Sequence, residues 1–204
     1  RNIAKAGFDL TVWNRSAAKA APLADEGIAV AGSAAAAVEG ADVVISVVSD
    51  GGTVGLLVAE EDLRAALKPH AIWVDMSSTK PEEARDLAAS LARINVDFLD
   101  APVSGGTKGA EEATLAIMAG GDSGVFDRAA PVLHAMGRPT RVGPTGAGQL
   151  AKLANQGIVA VAIAAVAEAT LLLEQGGADA GAVRAALKDG FADSTILQLH
   201  GARM

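Results

Sequence analysis

The chain has no cysteine and no tyrosine, and only 3% of its residues are aromatic. Without thiols it holds no disulfide and no thiolate metal site, and a reducing cytoplasm fits that composition. Basic charge is also scarce: 17 Lys and Arg stand against 24 Asp and Glu, a net charge of −7. That balance argues against a nucleic-acid partner bound through a basic surface. The 3 histidines, His70, His134 and His200, share no metal-ligand spacing, so no metal is expected. There is no G-x-S-x-G elbow or carboxylate pair of hydrolase type, and no internal repeat. The first residues mix charge with a strand pattern and do not read as a signal peptide. Half the residues are hydrophobic, so the core must be built from Ala, Val, Leu and Ile, with alanine-rich helices that form readily.

What is present is a rhythm of short apolar runs and helical stretches. Strands are predicted at Asp9 to Trp13, Ile28 to Val30, Val43 to Val48, Ile72 to Asp75, Val96 to Leu99, Leu115 to Met118 and Thr140 to Val142. Helices are predicted at Ala17 to Glu26, Thr53 to Leu67 and Pro81 to Ile94. Pro81 suits a first helical turn, and Glu82 and Glu83 complement the dipole there. This alternation predicts an α/β fold with a Rossmann-like, doubly wound parallel sheet. After Gly143 only helical pattern follows, beginning with one long helix from Gly146 to Gln175. The expected division is a nucleotide-binding domain over 1–143 and the start of an all-helical domain over 144–204.

Two motifs carry chemistry. The first is Gly146-Ala147-Gly148-Gln149-Leu150-Ala151-Lys152-Leu153-Ala154-Asn155-Gln156. Lys152 and Asn155 are three apart and share a helix face. A lysine in such an apolar helix must either snorkel to water or be used, because an unpaired buried ammonium is costly. The second is Asp100-Ala101-Pro102-Val103-Ser104-Gly105-Gly106-Thr107. Glycines after a serine let backbone N–H groups converge on a carboxylate or phosphate, and a helix start at Lys108 adds its dipole. The loop also reads as an ordinary strand-to-helix turn.

Together these motifs resemble the β-hydroxyacid dehydrogenases, which include 3-hydroxyisobutyrate dehydrogenase, tartronate semialdehyde (2-hydroxy-3-oxopropionate) reductase and glyoxylate/succinic semialdehyde reductases. The family pattern D-x-P-V-S-G-G binds the substrate carboxylate, and G-x-G-x-x-x-K-x-x-N carries the catalytic lysine. The resemblance runs through essentially all 204 residues. It implies an NAD(P)-dependent oxidoreductase with a 6-phosphogluconate-dehydrogenase-like nucleotide domain. Such an enzyme interconverts a small β-hydroxy acid and its semialdehyde. Lys152 is then the general acid/base, and Ser104, Gly105, Gly106, Asn155 and Gln156 bind substrate. Gln156 stands where some relatives have asparagine, and glutamine there is a feature of tartronate-semialdehyde-reductase-like members. Asn14-Arg15-Ser16, Val48-Ser49, Thr53 and Ser78 match the cofactor positions. Arg15 can pair with the 2′-phosphate of NADP, where an acidic residue would favour NAD; NADP is expected, with NAD possible. Arg15 also reads as a solvated side chain beside a Ser16 helix cap. Gly190 to Thr195 resembles a segment that helps close the substrate pocket.

The Rossmann glycine fingerprint is missing. Gly143-Pro144-Thr145-Gly146-Ala147-Gly148 mimics it but is followed by helix interior, with no second strand about twenty residues on. Arg1 to Ala6 reads as the end of a helix capped by Gly7. The expectation is therefore a piece of a longer protein, with its first strand, glycine loop and final helices elsewhere. Gly157 to Leu173 carries a single charge, Glu168, at the lower edge for a membrane span and without aromatic anchors. It reads instead as a helix buried at a domain or subunit interface, in a homodimer or homotetramer. The alternatives are a non-catalytic nucleotide-binding scaffold of the same fold and an imine reductase; Lys152 with the Ser-Gly-Gly loop counts against both.

Overall fold

The structure, a computed structural model, describes residues 1–203. The chain divides into two compact units, Arg1–Lys152 and a helical unit from Leu153 on.

The first unit opens with α1 (Asn2–Lys5), ended by Gly7 at φ +87° as the sequence implies. Strands β1 (Thr11–Val12) and β2 (Ala29–Val30) pair in parallel as a two-stranded sheet, with α2 (Ala17–Ala24) between them. After α3 (Ala34–Val38) come β3 (Val43–Ser46), β4 (Ile72–Asp75) and β5 (Asp97–Asp100), parallel neighbours in a second sheet. The crossovers are α4 (Gly51–Ala59) and α5 (Glu61–Ala66), then α6 (Pro81–Ala92). Residues alternate across β4 and β5 because strand side chains have a period of two. Trp73 and Phe98 join the core under α3 to α6, whereas Ile72, Val74 and Leu99 face the opposite way. The sheet is buried on both faces, as a doubly wound sheet requires.

The structure corrects three details of the sequence reading. The helix expected from Thr53 to Leu67 is two helices, broken at Glu60, whose ψ of 122° is extended. Glu61 and Asp62 then open α5, where carboxylates complement the dipole. Next, Val103–Ser104 is itself a short strand, β6, followed by α7 (Gly106–Glu111) rather than a helix beginning at Lys108. Last, β7 (Leu115–Gly120) runs antiparallel to β5 and β6. Pro102 lacks an amide for the ladder, so the chain turns out of β5 before β6, and no long crossover helix carries it back for a parallel return. Parallel order resumes through α8 (Ser123–His134) to β8 (Gly137–Gly143). Ala129 and Leu133 of α8 pack on the second face of the sheet.

α9 (Ala147–Gln175) begins in the first unit and continues through the second. Beyond it lie α10 (Ala180–Leu187) and α11 (Thr195–His200), N-capped by Asp179 and Ser194. The Arg184 guanidinium donates to the Gly201 carbonyl and ties α10 to the end of α11. Only helices follow β8 among the described residues. Helix α9 is long and apolar enough to cross a membrane. Leu153, Ile158, Val161 and Leu172 of this helix are exposed within this chain.

Candidate active site

Parallel α/β sheets place ligands beyond the carboxyl ends of their strands, and there the candidate residues of the first unit lie. The start of α9 is fastened to that edge. Asp100, the last residue of β5, is fully buried. Its Oδ1 accepts the Gly146 amide at 2.7 Å and its Oδ2 the Gln149 amide at 2.9 Å. These are helix-start amides that otherwise lack partners. Burial pushes the Asp100 carboxyl above its ordinary range, and the same backbone amides oppose that rise. The glycines that imitate a dinucleotide fingerprint have another use here. A Cβ on Gly148 would stand 2.4 Å from the carbonyl oxygens of Asp100 and Met118, so only glycine lets the helix approach the strands this closely.

Gln149, also buried, completes the attachment. Its Nε2 donates to the Ser77 carbonyl at 2.8 Å, and its Oε1 accepts the Thr79 amide at 3.0 Å. The turn after β4 is thereby bonded to the first turn of α9. One helical turn beyond Gln149, the Lys152 ammonium donates to the Val103 carbonyl at 2.8 Å. Lys152 is partly buried, and burial lowers its pKa from the ordinary lysine range. The structure thus brings Lys152 to β6, the strand that leads into Gly105 and Gly106. Gly105 and Gly106 have φ of +137° and +63°, values that favour glycine, and both are exposed.

The cofactor candidates occupy three strand ends. Beyond β1, Asn14 accepts the Ser16 amide in a local turn at 2.9 Å. Ser16 stands at the N-cap of α2, but its hydroxyl makes no capping bond, and Arg15 is exposed. Beyond β3, the Ser77 hydroxyl accepts the Val48 amide at 3.0 Å and joins that turn to the one carrying exposed Ser78. Thr53 does not start its helix. Asp50 caps α4 and accepts both the amide and the hydroxyl of Thr53, at 2.8 and 2.9 Å. Ser49 also donates to Asp50. These three bonds hold the Asp50 carboxyl below its usual range, the Thr53 amide contributing most. Uncommitted groups at Arg15, Ser16 and Ser78 fit the polar parts of a dinucleotide, which needs donors along successive strand ends. In the second unit, Asn155 donates to Gln156 Oε1 at 3.0 Å.

Sequence reasoning gave no role to Asp100, Ser77 or Gln149. The available signal was Gln149 itself, an amide just after Gly148 at the start of an apolar helix, where an unbonded polar group would be costly.

Comparison with known proteins agrees with this arrangement. Residues 1–173 match the family described as the NAD binding domain of 6-phosphogluconate dehydrogenase. Residues 146–204 match the one described as NAD-binding of NADP-dependent 3-hydroxyisobutyrate dehydrogenase. The chain is 43% identical to the 2-hydroxy-3-oxopropionate reductase of Escherichia coli, covering 100% of this chain and 70% of that protein. It is 35% identical to the 3-hydroxyisobutyrate dehydrogenase of Pseudomonas aeruginosa, covering 98% and 67%. The structure of Mycobacterium tuberculosis 3-hydroxyisobutyrate dehydrogenase with L-serine superposes with a TM-score of 0.89 at 35% identity, over 98% of this chain and 68% of that one. A chain with this fold, these motifs and these relatives belongs to the β-hydroxyacid dehydrogenases, the family of NAD(P)-dependent oxidoreductases that act on CH–OH groups.

Proposed function

We propose that the enzyme containing this chain interconverts a small β-hydroxy acid and its semialdehyde, with tartronate semialdehyde as the leading substrate and Lys152 as the proton donor. The observation that carries this reading is the position of Lys152. It is partly buried and donates at 2.8 Å to the carbonyl of Val103, the residue that leads into the Ser104-Gly105-Gly106 loop. That juxtaposition suits a substrate with a carboxylate at one end and a carbonyl at the other. The identity to an enzyme named 2-hydroxy-3-oxopropionate reductase supports the same class.

Each residue then has a chemical task. The amides and hydroxyl of Ser104, Gly105 and Gly106 take the substrate carboxylate, since positive φ at the glycines leaves the backbone approachable. The Lys152 ammonium gives its proton to the oxygen that becomes a hydroxyl; in the reverse direction its neutral amine removes that proton. Burial lowers the pKa of Lys152, which brings an amine nearer the range where it both gives and accepts a proton. Asn155, one turn further along α9, orients the lysine or the substrate, and Gln156 contacts the substrate. The nicotinamide, when bound, supplies the hydride. Arg15 and Ser16 hold the adenosine end, with Arg15 selecting the 2′-phosphate of NADP; Asn14, Val48, Ser49 and Thr53 shape the same groove, and Ser78 lies on the nicotinamide side. Residues 1–143 serve as the nucleotide domain and 144–204 as the start of the substrate domain. The uncovered apolar face of α9 is read as an interface of a cytoplasmic homodimer or homotetramer. A bilayer does not suit a helix whose first turn is bonded to the sheet domain through Asp100 and Gln149.

The test is oxidation of NADPH and NADH by the full-length enzyme with tartronate, methylmalonate and succinic semialdehydes and glyoxylate. Turnover of tartronate semialdehyde with the highest kcat/KM is expected, with NADPH preferred. Cofactor binding without turnover of any of the four would overturn the reading.

A further inference from the structure

Lys152 is placed by a device that no named role in the family pattern describes. The segment from Asp100 to Val103 holds the lysine at both ends. At its start the Asp100 carboxylate takes the Gly146 and Gln149 amides, one on each oxygen. Three residues later the Val103 carbonyl takes the Lys152 ammonium. Gln149 adds a second, separate attachment, to Ser77 and Thr79 beyond β4. One point of attachment leaves a helix free to turn about it. Two points, on neighbouring strands, fix both its tilt and its rotation. Lys152 follows Gln149 by three residues, so rotation of this turn translates directly into displacement of the ammonium. The carboxylate is closely packed: a Cβ at Gly120 would meet Asp100 Oδ1 at 2.5 Å, and one at Gly148 would meet Asp100 Oδ2 at 2.9 Å.

We propose that Asp100 and Gln149 are positioning residues for Lys152, forming a buried two-point clamp that aims the ammonium at the substrate oxygen. The proposal rests on Lys152 as the proton donor. Asp100 touches no reacting atom; it acts through the helix start.

The experiment is a double-mutant cycle in the full-length enzyme. Asparagine at position 100 presents one acceptor and one donor where two amides point, so it keeps at most one of the two bonds. Asp100→Asn is expected to lower kcat at least tenfold with the KM for NADPH unchanged. In a Lys152→Ala background the same substitution is expected to change the residual rate less than twofold, because residues that act as a unit are not additive. Gln149→Met, which keeps the volume and removes both side-chain bonds, is expected to show the same pattern with a smaller loss. It carries the test if Asp100→Asn does not fold. Equal losses in both backgrounds, or wild-type kcat with only a lowered melting temperature, would overturn the clamp while leaving the lysine's role intact. Wild-type turnover by Lys152→Ala would instead overturn the lysine reading, and the clamp with it.

Discussion

Gly148→Ala places a methyl group where two strands meet the start of α9. The new carbon would stand 2.4 Å from the Asp100 and Met118 carbonyl oxygens and 2.9 Å from Asp100 Oδ2. A comfortable C···O contact is about 3.3 Å, so each backbone contact must open by about 0.9 Å. Neither oxygen can rotate away, since both belong to strands within the sheet. The helix start must lift instead. Overpacking of this kind costs about 1–3 kcal/mol, and each hydrogen bond lost from a charged group about 1.5–3 kcal/mol more. Alanine's helix preference returns about 1 kcal/mol. With one Asp100 bond lost, the net is a destabilisation of about 1.5–5 kcal/mol. Gly55→Ala in α4 is the control, because its Cβ meets nothing within 4 Å. There the preference acts alone and stabilises by about 0.5–1 kcal/mol. Urea unfolding of both variants measures the pair. Opposite signs are expected, and a Gly148→Ala variant as stable as the parent would refute the close-approach argument.

Further predictions concern chemistry, cofactor and core. On the proposed mechanism Lys152 is neutral in the direction of alcohol oxidation, and burial lowers its pKa; kcat should therefore rise with pH through a limb below the ordinary lysine range. In the reducing direction it should fall through the same limb, and a pH profile unchanged in Lys152→Arg would count against this. Arg15→Glu should raise the KM for NADPH about tenfold or more, one lost charge-assisted contact, while sparing NADH; an unaltered preference would remove Arg15 from the phosphate site. Leu91, fully buried in α6, should lose about 2–5 kcal/mol on change to alanine, read by denaturant unfolding.

The sequence made visible whatever rests on local pattern. Ile72 to Asp75 is a strand because Ile72, Trp73 and Val74 are apolar and meet helices on both faces, and α6 starts at Pro81 because proline needs no partner for its missing amide there. The antiparallel entry of β7 was not legible. It follows from the turn at Pro102 and from pairing between Asp100 and Gly120, residues far apart in sequence. The residues proposed for the site on a chemical signature, Lys152 and the Ser104-Gly105-Gly106 loop, could be singled out from spacing and resemblance. Asp100 and Gln149 could not be assigned a task, because their partners are backbone groups 46 to 72 positions away. Ser77 was passed over for its neighbour Ser78: two adjacent serines look alike in sequence, and only the structure shows one buried under Val48 and the other exposed.

Single-turnover hydride transfer in the full-length enzyme, comparing the parent with Lys152→Ala under saturating NADPH and tartronate semialdehyde, tests the central claim most directly. General acid catalysis is worth about 10²–10⁴-fold, so the variant should bind NADPH normally and transfer hydride slower by that factor. Transfer at the parent's rate would contradict the account.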